Sequence, residues 1–112
     1  MSDTLFQLMT TIGDRKRNPT ETSYTTTLFR GGTELIGRKI LEEAGEVAVA
    51  GNAADTAQGR DALVCEAADL VYHLCVMLGY HNRTWSDVEA ELQRRFGMSG
   101  LEEKARRAGN ET

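Results

Sequence analysis

The stretch from about residue 60 to residue 78 is apolar nearly all the way round a helical wheel, and this limits the available folds more than any other feature. Leu63, Val64, Ala67, Leu70, Val71, Leu74, Val76, Met77 and Leu78 leave it no broad polar side. A helix of that kind is usually enclosed by its neighbours. Yet it carries Glu66, Asp69 and His73, which at 100° per residue share one arc about 60° wide. Its partners must therefore cover apolar surface and also answer a concentrated charge.

The rest of the chain supplies helices, punctuated by glycine. Leu5, Leu8, Met9 and Ile12 follow the i, i+3, i+4, i+7 spacing of an amphipathic helix, with Ser2 or Asp3 as cap and Gly13 as stop. Residues 14–22, which hold the lone Pro19, read as a loop. Ser23 caps a short helix from Tyr24 to about Arg30 that Gly31-Gly32 ends. Thr33 caps a long one over about 34–50, closed by Gly51-Asn52, and Gly79 stops the apolar helix. Ser86 with Glu89 reads as a capping box for a helix to about Phe96, with Trp85, Val88, Leu92 and Phe96 on one face. Ser99 with Glu102 opens a short basic helix. There is no repeat and no convincing strand. The expectation is all-α: a small helical bundle over residues 1–96 and a basic C-terminal tail over 97–112. A chain of 112 residues can bury one core of that size. So few helices around so apolar a segment also suggest a symmetric homodimer that completes a larger bundle.

Composition excludes several functions. The longest apolar run, residues 74–80, falls far short of the ~20 residues of a membrane span, and Met1-Ser2-Asp3 lacks the basic start of a signal peptide. A cytoplasmic protein with no membrane partner is expected. The net charge of -4 and the absence of a basic stripe argue against nucleic-acid binding, which rests on phosphate neutralisation. Cys65 and Cys75, on one helix, would lie about 15 Å apart along its axis, too far for a disulfide. They read as small buried apolar residues in a reducing compartment.

The acidity is local. Glu42, Glu43, Glu46, Glu66 and Asp69 occupy two short segments, and the chain without them has a slight positive excess. On the first long helix Glu42, Glu46 and Glu43 fall at about 0°, 40° and 100°, with Lys39 at about 60°, beside an apolar arc of Ile36, Ile40, Ala44, Val47 and Ala48. Unpaired carboxylates at a packed helix interface cost several kcal/mol each, so they must be protonated, paired or metal-bound. Lys39 and Arg38 are too few to pair five acids. Taken alone, Glu42–Glu46 could be a solvated patch; the Glu66–Asp69 pair inside an apolar helix is harder to read that way. Oxygen-only ligation favours Mg²⁺, or Mn²⁺, over zinc, which would want Cys or His clusters, and over a di-iron centre, which would want Glu-x-x-His. Such an ion in a helical cleft commonly meets a polyphosphate.

Glu43-x-x-Glu46 followed after 19 residues by Glu66-x-x-Asp69 resembles the signature of the MazG-like all-α nucleoside triphosphate pyrophosphohydrolases. Ser23-Tyr24-Thr25, the run from Gly32-Thr33-Glu34 through Lys39-Ile40-Leu41-Glu42-Glu43-Ala44-Gly45-Glu46-Val47, and Glu66-Ala67-Ala68-Asp69-Leu70-Val71-Tyr72-His73-Leu74 resemble, more narrowly, the phosphoribosyl-ATP pyrophosphohydrolases of histidine biosynthesis. The likeness covers about residues 23–96 and matches the stand-alone form, since the chain has no room for a fused cyclohydrolase. It implies hydrolysis of the α–β phosphoanhydride of 1-(5-phosphoribosyl)-ATP to the AMP analogue and pyrophosphate. Carried over residue by residue, Glu43, Glu46, Glu66 and Asp69 would hold Mg²⁺. Glu42, beside the cluster but outside the two pairs, is the candidate to orient or deprotonate the attacking water, with Glu43 the other catalytic candidate.

Lys39 would bind a substrate phosphate or, equally, pair with Glu43 along the helix. Tyr24, Thr25, Arg38 and His73 are further substrate-binding candidates, each with a plainer reading: helix start for Tyr24 and Thr25, surface arginine for Arg38 and Arg30, hydrogen-bonded packing residue for His73. Arg94, Arg95, Lys104, Arg106 and Arg107 form a basic end that is either solvated or closes over substrate. Two other functions compete: a house-cleaning pyrophosphatase acting on dUTP, dCTP or damaged nucleotides, and a non-catalytic helical module that dimerises and offers an acidic groove to a basic partner.

Overall fold

Five helices form in chain order: α1 (Asp3–Arg17), α2 (Tyr24–Asn52), α3 (Ala57–Tyr80), α4 (Trp85–Arg95) and α5 (Gly100–Asn110). The structure, a computed structural model, describes residues 3–97 and 100–110, and those residues contain no strand. The expected all-α bundle is what forms. Ser2 and Ser99, proposed above as caps, lie outside the described residues.

The first helix does not stop at Gly13. An interior glycine costs a helix only about 1 kcal/mol, and the additional turn places Lys16 where its ammonium donates to Gly79 O at 3.0 Å, Tyr80 O at 2.9 Å and Asn82 Oδ1 at 2.8 Å. Two of these acceptors are the last carbonyls of α3, where positive charge is favoured. The loop expected over 14–22 is correspondingly shorter.

Ser23 caps α2 as expected, its hydroxyl accepting from Thr26 N–H. Gly32 then takes φ 69° and ψ −167° and breaks the helix. The two segments use α3 in opposite senses. Before the break, Tyr24 meets His73 and Phe29 stacks on Tyr80, so both chains ascend together. After it, Thr33 bonds His81, Gly37 lies beside Met77, and Glu43 lies near His73 and Asp69. The chain doubles back at Gly32, and residues 24–31 and 33–52 flank α3 as two helices, as the glycine pair suggested.

Thr56 caps α3, which starts before residue 60 and runs through Gly79. Gly79 instead lies close against α1: a Cβ there would sit 2.9 Å from Ile12 Cγ2. The core gathers around this crossing from Ile12, Leu28, Ile36, Cys75 and Val76, with Phe29, Tyr80 and Trp85 against it. The buried residues of α3, His73, Cys75 and Val76, all lie in its C-terminal half, where it also meets α1 at Gly79. Its other half is open, with Val64 68% exposed and Cys65 exposed too, contrary to the burial expected of both. By length and composition α3 also passes as long and apolar enough to cross a bilayer, which counting unbroken apolar runs had missed. Here it is the helix on which α1 and α2 pack, and it holds two acids at mid-length, each worth about 2.5–3.5 kcal/mol against insertion at that depth.

The cap of α4 is Thr84 rather than Ser86: Thr84 and Asp87 form the reciprocal box, with Thr84 N–H donating to Asp87 Oδ2 at 2.9 Å. Trp85 packs on the core from the first helical position, so the helix has to begin before it. The apolar face expected beyond Trp85 is covered only at its start, and Leu92 and Phe96 are exposed. The last helix, α5, meets α4 through charge. Buried Glu103 faces Arg94 at 2.7 Å and Arg95 at 3.7 Å on α4, and Arg106 and Arg107 at 3.6 Å on its own helix. Four of the five basic residues assigned to a solvated or substrate-closing end are thus gathered on Glu103.

Candidate active site

The second segment of α2 descends antiparallel to α3, so that Thr33, Gly37 and Glu43 meet α3 progressively nearer its start. At 3.6 residues per turn Glu43 and Glu46 share a face, as do Glu66 and Asp69. The packing brings these faces together. One carboxylate oxygen from each of Glu43, Glu46 and Glu66 lies within 4.8 Å of the others. Asp69 stands beside this trio, exposed, and near enough that its charge raises the pKa of both Glu43 and Glu66. Three of the four expected ligands therefore form one cluster and the fourth borders it.

Burial grades the cluster. Of the acids on α2, Glu43 lies nearest the direction of Ile36, Ile40 and Val47, and it is 9% exposed; Glu46 is exposed and Glu66 half-buried. Glu43 Oε2 is shut off from solvent and has no hydrogen-bond partner. Burial pushes the Glu43 carboxyl above its ordinary range, the neighbouring Glu46 and Asp69 push it further, and His73 opposes them. Glu66 is raised by burial and then by the charges of Glu46 and Asp69. A buried carboxylate oxygen without a donor, among other carboxylates, takes either a proton or a hard cation. Beside the cluster opens a cleft of about 600 Å³ lined by Glu42, Gly45, Glu46, Val49, Ala50 and Glu66. Its small residues carry no chemical signal in sequence, and their part in the cleft was missed.

Among the other candidates, Lys39 pairs with Glu42 at 3.5 Å rather than with Glu43. Glu42 and Arg38 are exposed, and Arg30 reaches Glu21 at 3.3 Å. His73 is buried; its Nδ1–H donates to Asp69 O at 2.8 Å and its Nε2 meets the Tyr24 hydroxyl at 3.2 Å. Thr25, also buried, shares a hydrogen bond between its hydroxyl and that of Tyr72. Tyr72 was not singled out from sequence, although it links both groups: its ring stacks on Tyr24 at 6.2 Å and meets His73 edge-on at 5.1 Å. Tyr24, Thr25 and His73 are thus one assembly, joined through Tyr72.

Residues 5–96 match the family model described as phosphoribosyl-ATP pyrophosphohydrolase. The chain belongs to that family. Relatives named phosphoribosyl-ATP pyrophosphatase include one from Hydrogenovibrio crunogenus, 41% identical over 98% of this chain and 97% of the relative. Another, from Rhodopirellula baltica, is 48% identical over 92% and 85% of the two chains, and one from Burkholderia vietnamiensis is 47% identical over 97% and 90%. The phosphoribosyl-ATP pyrophosphohydrolase match spans α1 to α4 and so includes the carboxylate cluster, the cleft and the Tyr24–His73 assembly; α5 lies beyond it.

Proposed function

We propose that this chain hydrolyses 1-(5-phosphoribosyl)-ATP at its α–β phosphoanhydride, releasing pyrophosphate, in histidine biosynthesis, and that it does so with Mg²⁺ (or Mn²⁺) held by Glu43, Glu46, Glu66 and Asp69. The observation that carries the reading is the buried, unpartnered Glu43 oxygen beside Glu46 and Glu66 in a chain of this family. The residues fit such an ion: all donors are carboxylate oxygens, and one of them is already desolvated without a proton donor. When bound, the cation supplies charge neutralisation for the leaving pyrophosphate.

The chain's own residues do the rest. Glu42 lines the cleft beside the cluster and is the candidate to orient or deprotonate the attacking water. Lys39, on the same helix, is held forward by Glu42 and offers its ammonium to a phosphate as a point charge. Arg38 is an exposed second donor for the phosphoribosyl end. The protein is cytoplasmic in this reading. It works as a homodimer: Leu41 (75% exposed), Ala44, Ala48 and Val49 on α2 and Val64 on α3 leave an uncovered apolar surface around the cleft, which a second copy would bury.

Rescue of a histidine-requiring strain that lacks this step tests the function, with Glu66→Gln as control. Growth with the wild type and none with the variant is expected. A panel scored by pyrophosphate release separates the house-cleaning alternative: turnover of dUTP or dCTP comparable to that of phosphoribosyl-ATP would overturn the assignment.

A further inference from the structure

The hydrogen bond between Tyr24 and His73 joins two elements 49 positions apart, and it exists because Gly32 turns the chain back. His73 has both ring nitrogens in use. Its Nδ1 faces a carbonyl oxygen, Asp69 O, and so must carry the proton; a carbonyl cannot donate. With the proton there, Nε2 offers a lone pair, and the Tyr24 O–H donates to it. The imidazole is also fixed by contact, edge-on to the rings of Tyr24 at 5.9 Å and Tyr72 at 5.1 Å. It is 5% exposed and lies within electrostatic range of Glu43. Thus the first segment of α2 grips His73, which in turn bonds the backbone of Asp69 beside the carboxylate cluster.

The geometry points to Tyr24 as a positioning residue that acts on the carboxylate cluster through His73. Its hydroxyl holds the imidazole in the Nδ1–H form and in one orientation, and the same imidazole is bonded to the backbone carbonyl of Asp69, the acid that borders Glu43 and Glu66. The hydroxyl proton is consumed in this bond, so Tyr24 does not donate to a substrate phosphate. Groups that orient ligands from behind in this way are typically worth 10- to 100-fold in metal affinity. The inference rests on the metal reading of the cluster and goes one step beyond it.

The test uses the full chain free of metal, titrated with Mn²⁺ and followed by the electron paramagnetic resonance of the free ion. Wild type against Glu43→Gln comes first: equal affinities would overturn the metal reading itself, and this inference with it. Given a weaker Glu43→Gln, Tyr24→Phe, which keeps the ring and loses only the hydroxyl, is expected to bind Mn²⁺ about 10-fold more weakly. Its His73 nitrogen resonances should leave the single Nδ1–H pattern, and kcat should recover at saturating metal. His73→Gln should weaken Mn²⁺ similarly, and adding Tyr24→Phe to it should cost nothing more. Unchanged Mn²⁺ affinity in Tyr24→Phe, with or without a raised KM for substrate, overturns the inference, as does an additive double variant.

Discussion

Glu43 and Glu66, on two helices that descend past each other, hold carboxylate oxygens within 4.8 Å, and among the described residues no cation stands within ion-pair distance of either. Such a contact opposes folding unless something positive enters it. Mg²⁺ should therefore raise the melting temperature of the wild type. At a hundredfold excess over its Kd a ligand adds about 2.7 kcal/mol, and each kcal/mol moves a chain of this size by about 4–6 °C, so a rise on the order of 10 °C is expected. Glu43→Gln should lose most of that response. Without metal the same variant should melt higher than wild type, since it removes a buried charge among like charges. Differential scanning calorimetry with and without Mg²⁺ reads both effects.

The pH dependence follows from the direction of the shifts. The Glu43 and Glu66 carboxyls titrate above their unfolded values, so the folded protein binds protons more readily than the unfolded chain there. Metal-free stability should rise as pH falls through those raised values and decline as pH rises through them. Mg²⁺ competes with the same protons. Its stabilising increment should be small on the acid side, grow as the two carboxyls ionise, and level off above them. Melting curves at fixed Mg²⁺ across pH 4–8 check this, and an increment that shrinks with rising pH would contradict it.

How far the sequence disclosed this arrangement depends on which physical signal each residue leaves. The acid pairs at helical spacing placed Glu43, Glu46 and Glu66 together, because i, i+3 spacing fixes a face and an apolar surround gives that face a direction. The glycine pair marked the break in α2, because φ 69° at Gly32 is a conformation side chains resist. Burial along α3 was not legible. The wheel counts apolar faces but not which neighbour covers them, and Val64 and Cys65 are left exposed. Nor was the cap of α4: Ser86 and Thr84 both sit in capping sequences, and the packing of Trp85 decided between them. Tyr72 stands in the motif that carries the family resemblance, but nothing local gives it a role; it acquires one only when residues 24–31 fold back onto α3.

Replacing Gly32 tests the reversal. An alanine there would have to hold φ 69° with its Cβ 3.4 Å from the Tyr80 hydroxyl. Strain of this kind costs about 1–3 kcal/mol, so Gly32→Ala should lower the urea midpoint with an unchanged m-value. The Tyr24–His73 bond should weaken with it. The His73 nitrogen resonances, followed alongside, would show the loss.

The helix crossing makes a second steric prediction. Gly79→Ala would place a methyl group 2.9 Å from Ile12 Cγ2, so the buried Ile12 side chain must shift or α1 must move off α3. Overpacking of this order costs about 1–3 kcal/mol. Moving α1 also strains the three bonds of Lys16, so Lys16→Met and Gly79→Ala should be less than additive, since each loosens the same contact. Gly45 is the control: a Cβ there meets nothing within 4 Å, and Gly45→Ala should stabilise the helix by up to about 1 kcal/mol.

The tail rests on charge, and salt should reveal it. Leu101 on α5 is 82% exposed, whereas Glu103 is buried among arginines from α4 and α5. Arg94 and Arg95 hydrogen-bond Glu91 as well, and hold its carboxyl down to about 2. Glu103 is likewise lowered, chiefly by Arg94. Carboxyls depressed in the folded state contribute stability above their unfolded values and lose it as pH falls through the folded ones, so the clasp should hold at neutral pH and open in acid. At 1 M salt the Debye length falls to about 3 Å, which weakens these pairs from the side of the part-exposed arginines, though less than fully exposed pairs because Glu103 itself is buried. Trypsin should then cut at Lys104, Arg106 and Arg107 several-fold faster than in low salt, while the melting temperature of the α1–α4 body stays nearly constant. Glu103→Gln should give the fast cleavage already at low salt, because it removes the charge on which the four arginines converge. Cleavage that is slow in both conditions and in the variant would mean that apolar contacts hold α5, against the exposure of Leu101.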